Sequence, residues 1–482
     1  MNCKSLMIQG TGSSVGKSLL VTAICRILSN KGLSVAPFKS QNMSLNASVC
    51  ENGDEISTAQ MIQAKAARIK PDARINPILL KPIGEKKSQI IIMGKPVKNI
   101  DYTDYYLGWQ CYFEYVKRAF DSLKKEYEYI IIEGAGSPAE INLQERDISN
   151  MKVAEYTSSP VLIVGDIDKG GVFASFKGTY DLIEDKYKHL IQGFIINKFR
   201  GNIDLLMPGI EMFNKFMPAN IIAVIPMIED LQIDDEDSQC IRSNANIHSK
   251  IKIGIVKLKY MSNFNDFYPL LSIPDISVEY INSKEKLYHC DLIILPGTKK
   301  TVEDLKYLKS TGIYNVLKEL KGRKWILGVC GGFQMMGTLV IDNAVESNNN
   351  IEEEGLGFFN MTTFFSEEKQ LISKNYVGIG PLENENIVGY EIHCGTSNLL
   401  KDYTELINDR NRLIIDYSAK IIGTYIHGIF NNYAVTKYIL NLLNISININ
   451  IDSFYNIEKE LDKLANQVEK HCDYALIKSL FN

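Results

Sequence analysis

The chain has 482 residues, 45% of them hydrophobic and 23% charged, with a net charge of −4. That length accommodates about two to four domains, each able to bury its own core, and the charge balance, with no dense Lys/Arg stripe, argues against nucleic acid as a partner. The first strand starts by Ser5, leaving no room for a signal peptide; no apolar run nears the roughly 18 residues of a membrane span; and the nine scattered cysteines form no C-x-x-C pair, so a reduced, cytoplasmic enzyme without a structural zinc site is expected.

Ser5–Gln9 (SLMIQ) reads as a buried strand, followed by GTGSSVGKS (Gly10–Ser18) and an apolar helix through Leu28. Strand, glycine loop, Gly-Lys-Ser and helix together make the arrangement that cradles phosphates with loop N–H groups and a helix N-terminus. Gly12 and Gly16 shape the loop, Lys17 serves the β/γ-phosphates of a nucleotide such as ATP, and Ser18 offers its hydroxyl to Mg²⁺. The spacing departs from the common motif, because Thr11 stands where a glycine is usual and glycines sit at 10 and 12 instead. Leu33–Phe38 is a second strand. It leads into Lys39–Gln60, which is polar, poor in strand formers and too long for a plain connection, so a functional loop is expected, with Asp54 a candidate Mg²⁺ ligand. Asn76–Pro82 and Ser88–Gly94 follow, the latter as a strand, and Asp101–Lys125 reads as one helix.

Tyr129–Glu133 (YIIIE) is an apolar strand ending in a carboxylate. An acid at the C-terminal end of a buried strand near a phosphate loop is placed to hold a metal–nucleotide, which makes Glu133 the main metal candidate. Pro160–Asp166, Ile191–Asn197 and Ile221–Ile225 complete a set of strands alternating with helices. The pattern predicts a parallel sheet covered on both faces, with Gly10, Glu133 and Asp166 along the ligand edge.

Residues 231–250 are acidic, then polar, and read as a domain boundary. Strand–helix alternation resumes at Ile251–Leu258, and Asp291–Leu305 is a strand that ends in Pro296-Gly297 and enters a helix. Trp325–Gly337 (WILGVCGGFQMMG) combines an apolar run, glycines at 328, 331 and 332, and helical spacing at Phe333, Met336 and Val340. Cys330 is thereby expected on a strand-to-helix elbow, the turn that presents a nucleophile in hydrolases. The positive helix end favours an anion there, and the Gly331 N–H is available to an oxyanion. A cysteine nucleophile needs an imidazole partner. Of the six histidines, His189, His248 and His471 lie in polar contexts and His289 has no glycine turn. His393, in GYEIHCG, and His427, in IIGTYIHGIF, are the two candidates. Ser453–Leu480 is charged, with apolar residues at three/four spacing, and reads as a packing helix.

The segments QGTGSSVGKS, APFKSQNMSLN, LLKP, EGAGSPAEINL, GDIDKGGVFAS, NKFRG, LPGTKKT, GVCGGFQMMG, GYEIHCG and YIHGIF occur in this order from Gln9 to about Phe430. Together they resemble the cobyric acid synthases, glutamine-dependent amidotransferases of cobalamin biosynthesis, with EGAGSPAEINL the most specific segment. The resemblance implies an α/β protein: an N-terminal P-loop parallel-sheet domain similar to dethiobiotin synthetase, whose loop tolerates the spacing seen here, and a C-terminal α/β domain similar to class I glutamine amidotransferases. The corresponding divisions are 1–235 for the ATP-dependent amide synthetase domain, 236–250 for a linker, 251–440 for the amidotransferase domain and 441–482 for a helical extension.

The resemblance further implies that glutamine supplies ammonia through Cys330, with His427, at the family's Y-x-H-G position, as proton partner and with Gly331 and Gly297 forming the oxyanion hole. ATP and Mg²⁺ would activate a substrate carboxylate. The substrate implied is the corrinoid adenosylcobyrinic acid a,c-diamide, amidated at its b, d, e and g side chains. Asn42 and Asp147, in the polar segments Lys39–Gln60 and Ser137–Asn150, are the substrate-binding candidates. No nucleic-acid or membrane partner is implied, and a homo-oligomer is compatible. Cobyrinic acid a,c-diamide synthase and cell-wall precursor amidases share the same build, but NMSLN and SPAEINL favour cobyric acid synthases. A P-loop switch carrying an inactive glutaminase is disfavoured by the presence of Cys330, His427 and Lys17. Many class I glutaminases have a glutamate two residues after the histidine, where this chain has Ile429. The expectation is therefore a Cys–His dyad, or a histidine oriented by a distant group such as Glu391, with His393 as the rival base.

Overall fold

Strands with apolar side chains on both faces suit the middle of a parallel sheet, and the first half of the chain contains six such runs. In the computed structural model they pair in parallel in the order Ile221–Pro226, Ile191–Phe199, Val161–Asp166, Lys4–Gly10, Tyr129–Glu133, Val35–Phe38. The structure describes residues 3–83, 87–229, 231–233, 249–347, 349–447, 449–451 and 454–481. Most of the linker expected at 236–250 lies outside these residues, as do His248 and Ser453.

The described chain gathers into two compact units. One comprises Met1–Cys50, Asp54–Gln239 and Ile457–Asn482, and the other Glu51–Gly53 and Cys240–Asn456. In the first unit, three neighbouring strands end on Gly10, Glu133 and Asp166. Successive connections leave the central Lys4–Gly10 strand in opposite directions, so these ends border the crevice where open α/β sheets take ligands. The helix Lys17–Asn30 covers one face, with Val21, Ile24 and Leu28 in its core cluster.

Two expectations are corrected here. Lys39–Gln60 is not a loop: it contains the strands Gln41–Met43, Ala47–Val49 and Glu55–Ser57 and opens the helix Thr58–Ala66. Three-residue strands are too short to show alternation, and Gln41–Met43 finds its partner in the remote strand Ile78–Pro82. The helix expected over Asp101–Lys125 is two helices, Tyr102–Leu107 and Trp109–Leu123, divided at Gly108. Asp101 itself ends the strand Lys95–Asp101 and caps the first helix by accepting from the Thr103 N–H at 3.0 Å.

The second unit holds a sheet in the order Ile276–Ile281, Ile251–Val256, Leu292–Leu295, Trp325–Val329, Ile421–Thr424, Leu413–Asp416, Thr404–Glu405; the first five strands are parallel and the last two antiparallel. A second sheet joins Asn350–Glu354, Leu339–Asn343, Met361–Val377 and Asn386–Leu399. The helix after the cysteine elbow spans only Gly331–Met335, and Val340 belongs to the Leu339–Asn343 strand. The helical spacing of Phe333, Met336 and Val340 thus overstates that helix, which Gly337 and its neighbours cut short.

Residues beyond the second unit return to the first. The helix Ile457–Glu469 buries Leu461, Leu464, Ala465 and Val468 in the same core cluster as the Lys17–Asn30 helix. Arg26, buried on that helix, pairs with Glu458 and Asp462, each at 2.7 Å. No helix among the described residues is long and apolar enough to cross a membrane.

Candidate active site

The phosphate loop is held closed by its own backbone and by the opposite strand ends. Gly16 has φ of 100°, and a Cβ there would lie 2.1 Å from Asn197 Nδ2, so only glycine fits. Asn197 Nδ2 donates to the Val15 carbonyl at 2.8 Å. Lys17 Nζ donates to the Gly12 carbonyl at 2.8 Å and the Gly136 carbonyl at 3.2 Å. Ser18 Oγ donates to Glu133 Oε1 at 2.7 Å, Lys39 Nζ to the same oxygen at 2.9 Å, and Gln63 Nε2 to Oε2 at 2.5 Å. Burial alone would raise the Glu133 carboxyl, but the Lys39 charge and the three donors hold it below its usual range. The Ser18 hydroxyl and an anionic Glu133 are hard oxygen donors of the kind Mg²⁺ takes alongside nucleotide phosphates.

Asp54 is not brought to this pair. It sits in the turn before the strand Glu55–Ser57 and pairs with Lys95 at 2.9 Å. Its neighbour Glu55 pairs with Lys81 at 2.8 Å. Asn42 is brought near: its Nδ2 donates to Gln60 Oε1 at 2.6 Å, and Gln60 Nε2 donates to Gln63 Oε1 at 3.3 Å, a buried relay that ends on Glu133. Asp147 accepts from the Ser149 N–H at 2.7 Å, and burial pushes its carboxyl up. Sequence reasoning gave Lys39, Gln60 and Gln63 no role. Lys39 does stand in the APFKSQN segment, but a lysine after a strand looks like a solvated charge.

In the second unit the strand Trp325–Val329 delivers Cys330 at φ 50°, ψ −110°, a backbone state that costs a non-glycine residue on the order of 1–3 kcal/mol. Its surroundings enforce this state. The Cys330 N–H donates to the Thr424 carbonyl at 2.7 Å. A Cβ on Gly332 would fall 2.0 Å from the Leu295 carbonyl oxygen, and one on Gly331 2.7 Å from Thr298 Cγ2. Thr298 follows Gly297 on the LPGTKKT loop, which therefore lies directly against the residue after the cysteine. Cys330 Sγ–H also points to the Ile392 carbonyl, at 3.8 Å.

The buried His427 side chain lies within electrostatic reach of Cys330. Its Nδ1 lies 2.7 Å from Asp266 Oδ2, and the Gly428 N–H donates to Asp266 Oδ1 at 2.9 Å. Burial would lower the His427 pKa, but the charges of Asp266 and Cys330 and the hydrogen bond to Asp266 outweigh it and push it up to about 10. Gly297 borders the same ring: a Cβ there would lie 3.1 Å from His427 Cε1.

This geometry corrects the expected orientation of the histidine. Of the two expectations, the histidine is oriented by a distant carboxylate, and that carboxylate is Asp266, not Glu391. Glu391 accepts from Tyr376 Oη at 2.7 Å, sits 3.3 Å from Arg412 Nε and faces His393 Nε2 at 3.1 Å. His393 Nδ1 lies 2.7 Å from the Gly395 carbonyl, so both its ring nitrogens are engaged and neither is hydrogen-bonded to Cys330. Its ring packs on Tyr425, with centroids 4.2 Å apart, while Tyr390, three residues earlier on the Asn386–Leu399 strand, stacks on His427. His189, His289 and His471 are exposed. Asp266 lies 161 residues before His427, in SNFNDFYPL, where Asn and Asp between aromatics signal only a turn.

Residues 6–239 match the CobQ/CobB/MinD/ParA nucleotide binding domain, and residues 252–435 the CobB/CobQ-like glutamine amidotransferase domain. The chain is similar to the cobyric acid synthase of Thermodesulfovibrio yellowstonii, at 44% identity over 98% of each chain. The corresponding protein of Caldanaerobacter subterraneus subsp. tengcongensis is 42% identical over 97% of this chain and 96% of its own. That of Clostridium tetani is 41% identical over 97% of each.

Proposed function

The chain belongs to the cobyric acid synthase family and is an ATP-dependent amidotransferase; on that premise we propose that it uses ammonia from glutamine to amidate the b, d, e and g carboxylates of adenosylcobyrinic acid a,c-diamide, giving adenosylcobyric acid. The observation that carries the reading is the buried Cys330–His427–Asp266 array on a glycine-packed elbow.

The Cys330 thiolate attacks the side-chain amide carbon of glutamine. The Gly331 N–H and an N–H of the Gly297 loop receive the developing oxyanion. As the C–N bond breaks, the His427 imidazolium gives its proton to the departing nitrogen, releasing ammonia and leaving a thioester. His427, now neutral, takes a proton from water, which hydrolyses the thioester to glutamate and frees Cys330. Asp266 keeps Nδ1 protonated and holds the ring in place throughout.

In the first unit a corrinoid carboxylate oxygen attacks the γ-phosphorus of ATP and ADP departs. Ammonia then attacks the acyl phosphate carbon and phosphate leaves. Gly12 and Gly16 let the loop N–H groups reach the phosphates, and Lys17 follows the charge on the transferring group. Mg²⁺, when bound through Ser18 and Glu133, neutralises phosphate charge. Asp147 is the proposed contact for the polar periphery of the corrinoid, whereas Asn42, buried in the Gln60–Gln63 relay, supports Glu133 from behind.

The test is amide formation from the a,c-diamide with ATP and either glutamine or ammonium as nitrogen source. Cys330→Ser is expected to lower glutamine-dependent amidation by roughly 10³-fold or more while leaving the ammonium-dependent reaction intact, and Lys17→Ala to abolish both. Phosphate release without amide formation, with no glutamine hydrolysis, would instead mark a P-loop switch. Turnover of cobyrinic acid but not of its a,c-diamide would mark the diamide synthase activity.

A further inference from the structure

The imidazole of His427 is bounded on several sides. Its Nδ1 edge meets Asp266, the charge of Cys330 acts on it, and Cε1 abuts Gly297. Its flat face is covered by Tyr390, with ring centroids 5.3 Å apart and planes within 24°. This stack is anchored through the main chain: His427 N–H donates to the Tyr390 carbonyl at 2.8 Å, and Tyr390 N–H to the His427 carbonyl at 3.3 Å. It is also anchored through the phenol, which accepts from Asn263 Nδ2 at 3.3 Å. Asn263 is buried, has φ of 53° and opens the single turn Phe264–Phe267 that carries Asp266. One short loop therefore holds a carboxylate at the edge of the imidazole and, through Asn263, an aromatic ring on its face.

We propose that Tyr390 is a positioning residue for the glutaminase reaction, its ring stacking on His427 to hold the imidazole on Cys330 and to favour its charged form, with the Asn263–Asp266 loop locking ring and carboxylate together. A cation over an aromatic face is attracted by the ring quadrupole, and the attraction grows when both are withdrawn from water. The titratable groups facing His427 are Asp266, Cys330 and Tyr390 itself. The proposal explains why the GYEIH segment carries a tyrosine on the face opposite Glu391 and His393. It rests on Cys330 and His427 being the reactive pair.

The experiment uses the full-length protein and three variants, Tyr390→Leu, Tyr390→Phe and His427→Ala. Glutamine hydrolysis is read as kcat and KM, and thiolate content as the pH dependence of Cys330 alkylation by iodoacetamide, followed on the Cys330 peptide by mass spectrometry. Tyr390→Leu is expected to lower kcat roughly tenfold with KM changed less than about twofold, and to move the alkylation midpoint to higher pH, because a less favoured imidazolium stabilises the thiolate less. Tyr390→Phe keeps the ring but loses the hydrogen bond from Asn263, and is expected to restore the alkylation midpoint to near wild type and most, but not all, of kcat. If Tyr390→Leu does not fold, Tyr390→Met fills the space without a π face and carries the same comparison. An unchanged alkylation profile in the Leu or Met variant overturns the proposal, as does a Phe variant as impaired as Leu. If His427→Ala leaves glutamine hydrolysis and Cys330 alkylation at wild-type levels, it is instead the Cys330–His427 pairing that fails.

Discussion

Asp266 and His427 form the contact on which the chemistry proposed for Cys330 depends. A histidine whose folded pKa lies above its free value keeps its proton to higher pH, and that proton is lost as pH rises through the folded value, here about 10. The alkaline limb of glutamine hydrolysis should accordingly fall near pH 10. Asp266→Asn removes the charge that raises His427 while nearly preserving shape. The limb is expected to move to lower pH by one unit or more, with kcat reduced roughly 10- to 10³-fold, as a pH–rate profile of the full-length enzyme will measure. A limb that stays in place would show that Asp266 does not set the charge state of His427. At this scale the sequence displays two of the three members of the array. Cys330 stands in a contiguous run whose glycines announce a tight turn, and Tyr-x-His-Gly marks His427. Asp266 has no such surroundings, because its function lies in a contact made across 161 residues.

The elbow is kept in shape by the element beside it. Asp304, buried in the first turn of the helix Thr301–Ser310, accepts from the Lys259 N–H at 2.9 Å, from the Tyr260 N–H and from the Thr298 hydroxyl. Burial pushes its carboxyl up to about 6, despite those hydrogen bonds. It thereby ties the loop after Ile251–Val256 to the Gly297–Thr298 segment that packs on Gly331. Asp304→Ala leaves these donors without their acceptor. It is expected to destabilise the second unit by about 2–4 kcal/mol, seen as a lower midpoint in urea, and to depress glutamine hydrolysis more than ATP-driven amidation with ammonium. Contiguous apolar runs are legible in the sequence: the strands Tyr129–Glu133, apolar up to its final carboxylate, and Trp325–Val329 declare themselves. The short strands within Lys39–Gln60 are hidden in the sequence because three residues cannot display a period, and the split at Gly108 leaves no mark because apolar spacing continues across it.

Across the whole molecule, the first unit is closed by a segment that arrives last in the chain. The helix Ile457–Glu469 covers Val21, Ile24 and Leu28 and pairs with Arg26. Removing residues 457–482 would uncover that apolar face and leave Arg26 buried without its carboxylates. The truncated protein is expected to lose several kcal/mol in the first unit, about 2 kcal/mol for each large buried side chain deprived of cover, and its affinity for ATP with it. Calorimetry of the full chain and the truncation, with ATP binding and glutamine hydrolysis measured in parallel, checks this. An unchanged first-unit transition would show the helix to be dispensable. The sequence by itself determined the two-part α/β architecture and the two chemistries, nucleotide use in the first half and a glutamine amidotransferase in the second. Each is written in contiguous segments whose spacing dictates local backbone geometry. Only the tertiary structure decided that Asp266 rather than Glu391 meets His427, that Glu391 and the Gly395 carbonyl take up both nitrogens of His393, that Asp54 pairs with Lys95, and that the last helices pack on the phosphate-loop helix. Those pairings join residues far apart in the chain, and a contact made by folding leaves no period in the sequence to be read.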